Sequence, residues 1–168
     1  MPAADEIADL YDFEDTIAAA FLSYLQTELP GKTFQLARNN SQQAPPCVLI
    51  RAEHEGAANG LETDQKFFTA DGNISKDRHF VGRLITTIRT HRQTDQSDDD
   101  HADLRKRVRA ALYDCVKATG INAELTHHSI RSIYEDGNSH EIEEDEGFDD
   151  TVITWPLSYV IKDDSWPA

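Results

Sequence analysis

The sequence predicts one α+β domain in which two helices pack on one face of a mainly antiparallel sheet. Its segments read in the order helix, strands, helix, strands, which is the order that this fold class produces. The chain has 168 residues, and a single domain typically has ~100–200. From Asp77 to Val116, a long alternating strand leads through an acidic turn into an amphipathic helix. This unit reads as a scaffold, which directs the functional question towards assembly rather than catalysis.

The amino-terminal third predicts a helix and a short strand. Apolar residues recur at helical spacing from about Asp5 to Leu29, and Asp5 and Glu6 favour the amino-terminal end of a helix dipole. Pro30-Gly31 ends the helix. Lys32 to Arg38 predicts a short strand with Phe34 and Leu36 on one side, and residues 39–46 have the composition of a loop.

The middle of the chain predicts two long strands separated by an ambiguous segment. Cys47 to Glu55 begins with a continuous apolar run, which predicts a central strand covered on both faces. Residues 56–77 fit either a mobile loop or an extra hairpin. Residues 78–92 alternate as a long strand, which the acidic turn at 93–101 follows.

The second helix is predicted from about Asp103 to Lys117. An Asp within Asp98–Asp100 is the expected N-cap, and Gly120 is placed to end the helix. Cys115 falls on the apolar face of this helix, and Cys47 begins an apolar strand. Both cysteines therefore read as small core residues of a protein in a reducing cytoplasm.

The carboxyl-terminal third predicts a strand, an acidic hairpin and a last strand. Leu125 to Tyr134 alternates, and residues 136–150 form the hairpin, with seven acids among the eleven residues 140–150. In the last strand, Thr151 to Ile161, Trp155 and Tyr159 fall on one face. Pro156 predicts an edge position or a bulge, so we expect this edge to be open to a neighbouring subunit. Residues 1–168 thus form a single domain with two appended features, at about 56–77 and about 136–150.

The formal net charge is −15, which argues against direct nucleic-acid binding because such binding needs clustered Lys and Arg. The same charge keeps a protein soluble and would keep DNA from sticking to a protein that surrounds it. No apolar run approaches the ~18 residues of a membrane span. The acidic beginning of the sequence lacks the regions of a signal peptide, so we expect synthesis in the cytoplasm and no membrane partner.

The residues that could carry chemistry predict no catalytic residue, no cofactor and no metal site. His127 and His128 are adjacent on a strand and so face opposite ways, while His79 and His91 share a face but lie twelve residues apart. His101 reads as a capping residue at a helix start. Zinc and calcium motifs, nucleophile elbows and phosphate loops do not occur in the sequence. We therefore expect a protein that is not an enzyme.

With this order of elements, the chain resembles the tail-terminator (tail-completion) proteins of long-tailed bacteriophages and related minor tail or neck proteins. The resemblance rests on four segments after an amino-terminal helix: the strand Val48-Leu49-Ile50, the strand Gly82 to Thr90, the helix Asp103 to Lys117 and the strand Ile153 to Val160. It implies a ring, commonly of six subunits, that caps the tail tube and joins it to the head in the virion. The implied partners are further copies of the chain, tail-tube proteins and neck or connector proteins.

The acidic run is the expected partner-binding surface, with Glu143, Glu144, Asp145 and Glu146 as its residues. Two alternatives remain open. One is a small metal-dependent hydrolase that uses clustered acids and histidines, for which His127 and Asp99 are the residues to mutate. The other is an acidic adaptor or inhibitor that mimics nucleic acid.

Overall fold

The computed structural model describes residues 5, 8–37, 45–57, 67–68, 74–75, 78–91, 95–117, 119–137, 140–143 and 148–162. These residues contain two α-helices, α1 (Phe13–Glu28) and α2 (Asp95–Tyr113), and two 3-10 helices, Ala8–Tyr11 and Ile121–Glu124. The strands are β1 (Phe34–Leu36), β2 (Cys47–Ala57), β3 (Phe67–Phe68), β4 (Ile74–Ser75), β5 (Arg78–His91), β6 (His128–Ile133), β7 (His140–Glu143) and β8 (Phe148–Ile161). The fold is α+β, as the sequence predicts.

Six of the strands form one sheet in the order β1-β2-β5-β8-β6, and β7 pairs with β8 beside β6. Only the β1–β2 pair is parallel. The long strands β5 and β8 pair along their whole length, from Arg78 opposite Ile161 to His91 opposite Phe148. Within residues 56–77, β3 and β4 pair with each other as a separate two-stranded sheet, which is the hairpin alternative for that segment.

Both helices cover one face of the sheet. The alternate strand residues that point to this face form the core together with the helices. In β5 and β8 every second residue is buried, including Leu84, Ile88, Ile153 and Trp155. These side chains form one apolar cluster with residues of α1 (Ile17, Phe21, Leu25) and of α2 (Leu104, Val108, Leu112). Trp155 and Tyr159 lie on the same buried face, as expected.

The first helix is shorter than predicted at its beginning. Residues 8–11 form a 3-10 helix, and Asp12 has a non-helical backbone (φ −83, ψ 65), so the α-helix begins at Phe13. At its other end the prediction holds, because Leu29 caps the helix and Gly31 adopts a positive φ of 86.

The second helix begins earlier and ends earlier than predicted. The acidic run from Asp95 to Asp100 is its first part rather than a turn, in keeping with the preference of acidic residues for the positive end of a helix dipole. The helix ends at Tyr113, not near Gly120. Gly120 is required for another reason: a Cβ there would lie far inside van der Waals contact with the carbonyl of Cys115, which accepts a hydrogen bond from Ile121 N at 2.9 Å.

The last strand is interior to the sheet, so the predicted edge position is wrong. β8 pairs with β5 on one side and with β6 and β7 on the other. Pro156 O accepts a hydrogen bond at 3.2 Å from Tyr134 N, just beyond the end of β6. Since N and O of a strand residue point to the same side, the N–H that proline lacks would also point there, and the ladder to β5 is complete without it.

β2 lies inside the sheet, as predicted, but only its alternate residues face the core. Val48, Ile50 and Ala52 are buried, whereas Leu49 is half-buried and Arg51 is exposed. The face opposite the helices carries an ion-pair cluster in which Arg83 contacts Glu53 at 2.8 Å and Glu55 at 3.2 Å. An antiparallel sheet with one solvated face explains this pattern. Neither described helix has the length and apolarity to cross a membrane.

Candidate interaction surfaces

The acidic hairpin joins the sheet through β7, which pairs with the first residues of β8. Glu143 stands opposite Asp149, and Ile142 stands opposite Asp150. Glu144, Asp145 and Glu146 lie outside the described residues, so only the backbone of Glu143 is placed among the predicted partner-binding set. Like charges at directly opposite positions destabilise a strand pair. The backbone register sets two acidic residues opposite each other at this end of the hairpin.

Asp150 differs from the other acids of this segment because it is held inside the protein. It is 3% exposed, and its two oxygens accept hydrogen bonds from Arg89 Nε at 2.9 Å and Nη2 at 2.7 Å. The Arg89 guanidinium also lies 5.3 Å from the centre of the Phe148 ring. This bidentate pair fixes β8 against β5, so Asp150 has a structural role and is not available to a partner.

His101 binds helix α2 to the two central strands. Its Nδ1 lies 2.8 Å from Thr90 Oγ1 on β5, and its Nε2 lies 2.6 Å from Thr151 Oγ1 on β8. The predicted capping role is wrong because α2 begins at Asp95, six residues earlier. Thr90 and Thr151 are both buried, so these bonds satisfy polar groups that would otherwise be unpaired.

An aromatic cluster occupies the opposite end of the two central strands. The Phe13 ring contacts His54, Phe80 and Tyr159, with ring centres 4.7, 5.0 and 4.9 Å away. His54 Nδ1 lies 2.5 Å from the Tyr159 hydroxyl. Burial raises the pKa of Tyr159, so its hydroxyl stays protonated in this contact.

His128 joins the same cluster, and its partner fixes its tautomer. Its Nε2 donates to the Leu10 carbonyl at 2.8 Å, and its ring lies 5.5 Å from Phe13. It is 1% exposed, and its Nδ1 has no hydrogen-bond partner among the described atoms. Burial lowers the pKa of His128, which is therefore neutral at pH 7. The adjacent His127 is exposed, as the prediction of opposite faces requires.

The remaining candidates for chemistry lie apart or are buried. His79 and His91 lie near the two ends of β5. Among the described side chains, no three His, Cys, Asp or Glu residues come close enough together to hold a metal ion. Cys47 and Cys115 are free and buried, and burial raises the pKa of Cys115 to about 11. Both thiols are buried, as the sequence predicts, and Cys115 belongs to the apolar cluster beneath the helices.

A basic cluster on α2, which the sequence reasoning missed, stands out on this acidic protein. The α2 basic surface consists of Arg105, Lys106, Arg107 and Arg109, four of the 16 basic residues within five positions. Arg105, Lys106 and Arg109 border a surface depression of about 620 Å³, which Ala102 and Asp103 also line. Arg107 contacts Asp103 at 2.8 Å, and Arg109 forms a bidentate contact with Glu135, in which Nη2 donates to Oε1 at 2.7 Å and Nε donates to Oε2 at 3.1 Å. The signal was present in the sequence as a basic run within a chain of charge −15.

A second surface, at the beginning of the chain, has the opposite charge. Residues 1–31 contain seven acids and no Lys or Arg. Of these acids, Asp9, Asp12 and Glu14 are exposed, and they form the acidic amino-terminal surface. Their neighbour Phe13 packs on Tyr159 near the end of β8, whereas His101, one turn before the α2 basic surface, contacts Thr151 near its start. The acidic amino-terminal surface therefore lies at the Tyr159 end of the central strands. The α2 basic surface begins near Thr151 and extends to Arg109, whose partner Glu135 lies beside the middle of β8.

Neither a protein-family model nor a curated protein matches the sequence. The functional argument rests on the fold and on the charged surfaces.

Proposed function

We propose that this protein is a structural component of a bacteriophage virion that forms a ring at the end of the tail tube or in the neck that joins tail to head. The α+β fold supports the proposal because its elements follow the order on which the resemblance rests. Helix α1 precedes β2, the long strand β5 leads into α2, and β7 and β8 close the sheet.

The observation that carries the proposal is the presence of oppositely charged surfaces at different places on one subunit. The acidic amino-terminal surface lies at the Tyr159 end of β8, and the α2 basic surface extends from near its Thr151 end to its middle. Copies that associate through two different surfaces do so head to tail, and a suitable rotation between them closes a ring. The resemblance implies that this ring commonly has six members. Such a mechanism is geometric and uses no catalytic group.

The net charge of −15 suits a ring through which DNA passes. An acidic lumen repels the phosphate backbone, so DNA moves through without being held. The acidic hairpin, whose sequence includes Glu143 to Glu146, either lines this path or faces basic residues of an adjoining ring. Exposed ion pairs contribute only about 0–1 kcal/mol each, so such a partner would be held by the whole array.

The proposed location is the virion, after synthesis in the host cytoplasm, and the proposed partners are tail-tube and neck or connector proteins. The test measures the mass of the purified protein in solution and its sedimentation with purified phage tails. We expect a discrete oligomer that binds at one end of the tail. A strict monomer that never binds tube or neck proteins would overturn the proposal.

The two other function classes predict different results from the same preparation. A metal-dependent hydrolase would take up Mg²⁺, Mn²⁺ or Zn²⁺ saturably in calorimetry, and exchange of His127 would remove that uptake. A nucleic-acid mimic would bind a basic protein tightly and in a salt-sensitive manner. Either result, in the absence of binding to tails, would replace the ring proposal.

A further inference from the structure

We infer that the α2 basic surface is the docking site for the acidic amino-terminal surface of a second copy of this chain. The inference rests on the proposed function, because it names the contact through which copies associate. It assigns the contact to Arg105 and Lys106 on one copy and to Asp9 and Asp12 on the next.

The basic side of this contact has the composition of an interface. Lys106, Ala110 and Tyr113 are exposed at positions i, i+4 and i+7 of α2, so they lie along one side of the helix. Tyr113 is 89% exposed, and tyrosine and arginine are enriched where proteins bind each other. The bidentate contact with Glu135 holds Arg109 in one orientation, so this part of the surface is ordered before a partner arrives.

The acidic side is ordered as well, and its charge is uncompensated by described residues. Leu10 and Phe13 are buried on either side of Asp12, so the 3-10 helix and the start of α1 present Asp9, Asp12 and Glu14 outwards. None of these three carboxylates forms an ion pair with a described basic side chain. Tyr11, 42% exposed, adds an aromatic ring between them.

A second copy fits the α2 basic surface better than nucleic acid does. Arg107 contacts Asp103, Arg109 contacts Glu135, and Arg105 also has a partner within the chain, which lowers the charge that the surface could offer to phosphates. The net charge of −15 repels a duplex as a whole. It also repels a second copy, so association requires a local match of opposite charges, and the acidic amino-terminal surface supplies that match. Because the two surfaces are different, the contact is heterologous.

The test is a charge swap followed by mixing. The variant Arg105→Glu/Lys106→Glu and the variant Asp9→Lys/Asp12→Lys should each lose self-association by on the order of tenfold or more in sedimentation, since like charges then face each other. An equimolar mixture of the two should reassemble, because every contact in an alternating assembly again joins opposite charges. Arg51→Glu/Lys117→Glu and Glu55→Lys/Glu124→Lys, which change the net charge equally at other exposed positions, should assemble like the unmodified protein.

Each other outcome has a definite meaning. If the unmodified protein associates but the swapped variants associate equally well, the inference is wrong while the ring proposal stands. If the unmodified protein neither self-associates nor binds tails, both fail. If it binds duplex DNA and only the Arg105/Lys106 variant loses that binding, the surface is a phosphate site instead. Asp9→Ser/Asp12→Ser, which removes the two charges without reversing them, should also weaken association, and circular dichroism verifies that each variant is folded.

Discussion

The two ends of the central β5–β8 pair are stabilised by different kinds of contact. At the amino end of β8, Arg89 pairs with the buried Asp150, and His101 joins Thr90 to Thr151. At the carboxyl end of β8, aromatic rings pack around Phe13, with only two hydrogen bonds from the histidines of that cluster. One end depends on directional polar bonds and the other on packing.

This difference teaches how each end can be broken. Packing is lost in proportion to the volume that a substitution removes, so a large-to-small exchange is the most damaging change at the carboxyl end. A buried polar pair is most sensitive to the removal of one partner, because the other partner is then buried without compensation. The amino end is also where the acidic hairpin enters the sheet, so stability and partner binding draw on neighbouring residues there.

The largest expected effect is at the carboxyl end. Phe13→Ala removes a ring that is 4% exposed and contacts five other rings, so we expect the free energy of unfolding to fall by about 3–5 kcal/mol. Urea unfolding measures the change. Tyr134→Ala is the control, since that ring is 63% exposed and lies outside this cluster, so its loss should matter much less. Equal losses for the two variants would show that the cluster is not the source of stability at this end.

The next effect is at the amino end. Asp150→Ala leaves Arg89 without its acceptor, and we expect the free energy of unfolding to fall by roughly 2–3 kcal/mol. This is less than the ~3–5 kcal/mol of a fully buried pair, because the Arg89 side chain is 24% exposed. The double variant Arg89→Met/Asp150→Leu should be more stable than Asp150→Ala, since neither partner remains uncompensated. If the free energy of unfolding falls in the double variant by as much as the sum of the losses in Arg89→Met and in Asp150→Leu alone, the two residues do not interact energetically.

A smaller effect, which concerns the carboxyl end of β8 alone, is a dependence of stability on pH. The pKa of His128 is lowered from its ordinary value of 6.5, mainly by burial, so below that pH the unfolded chain binds a proton that the folded protein does not. Its contribution to stability is therefore complete above about pH 6.5 and decreases as the pH falls towards the lowered pKa. Asp12, His127 and Lys162 are the charged or titratable neighbours of this ring.

Urea unfolding between about pH 7.5 and about pH 5.5 tests this dependence, because most carboxylates titrate below that range. His128→Gln, whose amide can still donate to the Leu10 carbonyl, should flatten the decrease in stability. His127→Gln, an equal exchange at the exposed neighbour, should leave it unchanged. A decrease of the same size in the His128→Gln variant would mean that another group causes the pH dependence.

Much of the fold could be predicted in the segments where the spacing of the apolar residues agrees with the positions of Pro and Gly. The alternation of β5 and of β8 gives their faces and nearly their bounds, and Pro30-Gly31 gives the end of α1. The acidic start of α2 was misread as a turn, because Asp, Ser and Gln are common in turns and only the helix dipole favours them here. Gly120 was misread as a helix end, because the approach of the Cys115 carbonyl cannot be seen in sequence.

The candidate surfaces were less predictable than the fold. Pro156 suggested an edge strand, but this residue of β8 lies opposite the end of β6, where no backbone N–H of β8 is needed. Only the strand order reveals this. The α2 basic surface is visible in the sequence as a run of Arg and Lys. Its significance, however, depends on which of these residues are exposed and which already pair with Asp103 and Glu135. Contacts between residues distant in the chain decide both cases.

The smallest expected effect on stability comes from the acidic hairpin at the amino end of β8. Exchange of Glu143, Glu144, Asp145 and Glu146 for Ser should change the free energy of unfolding by no more than about 0.5 kcal/mol in the destabilising direction, because repulsion with Asp149 falls. If the hairpin meets a partner or lines a DNA path, the same variant should assemble poorly with tails or impair DNA passage. Unfolding of the variant would mean that the run is structural. Normal assembly and normal infectivity would mean that these four acids serve solubility alone, and that partner binding at this end lies elsewhere.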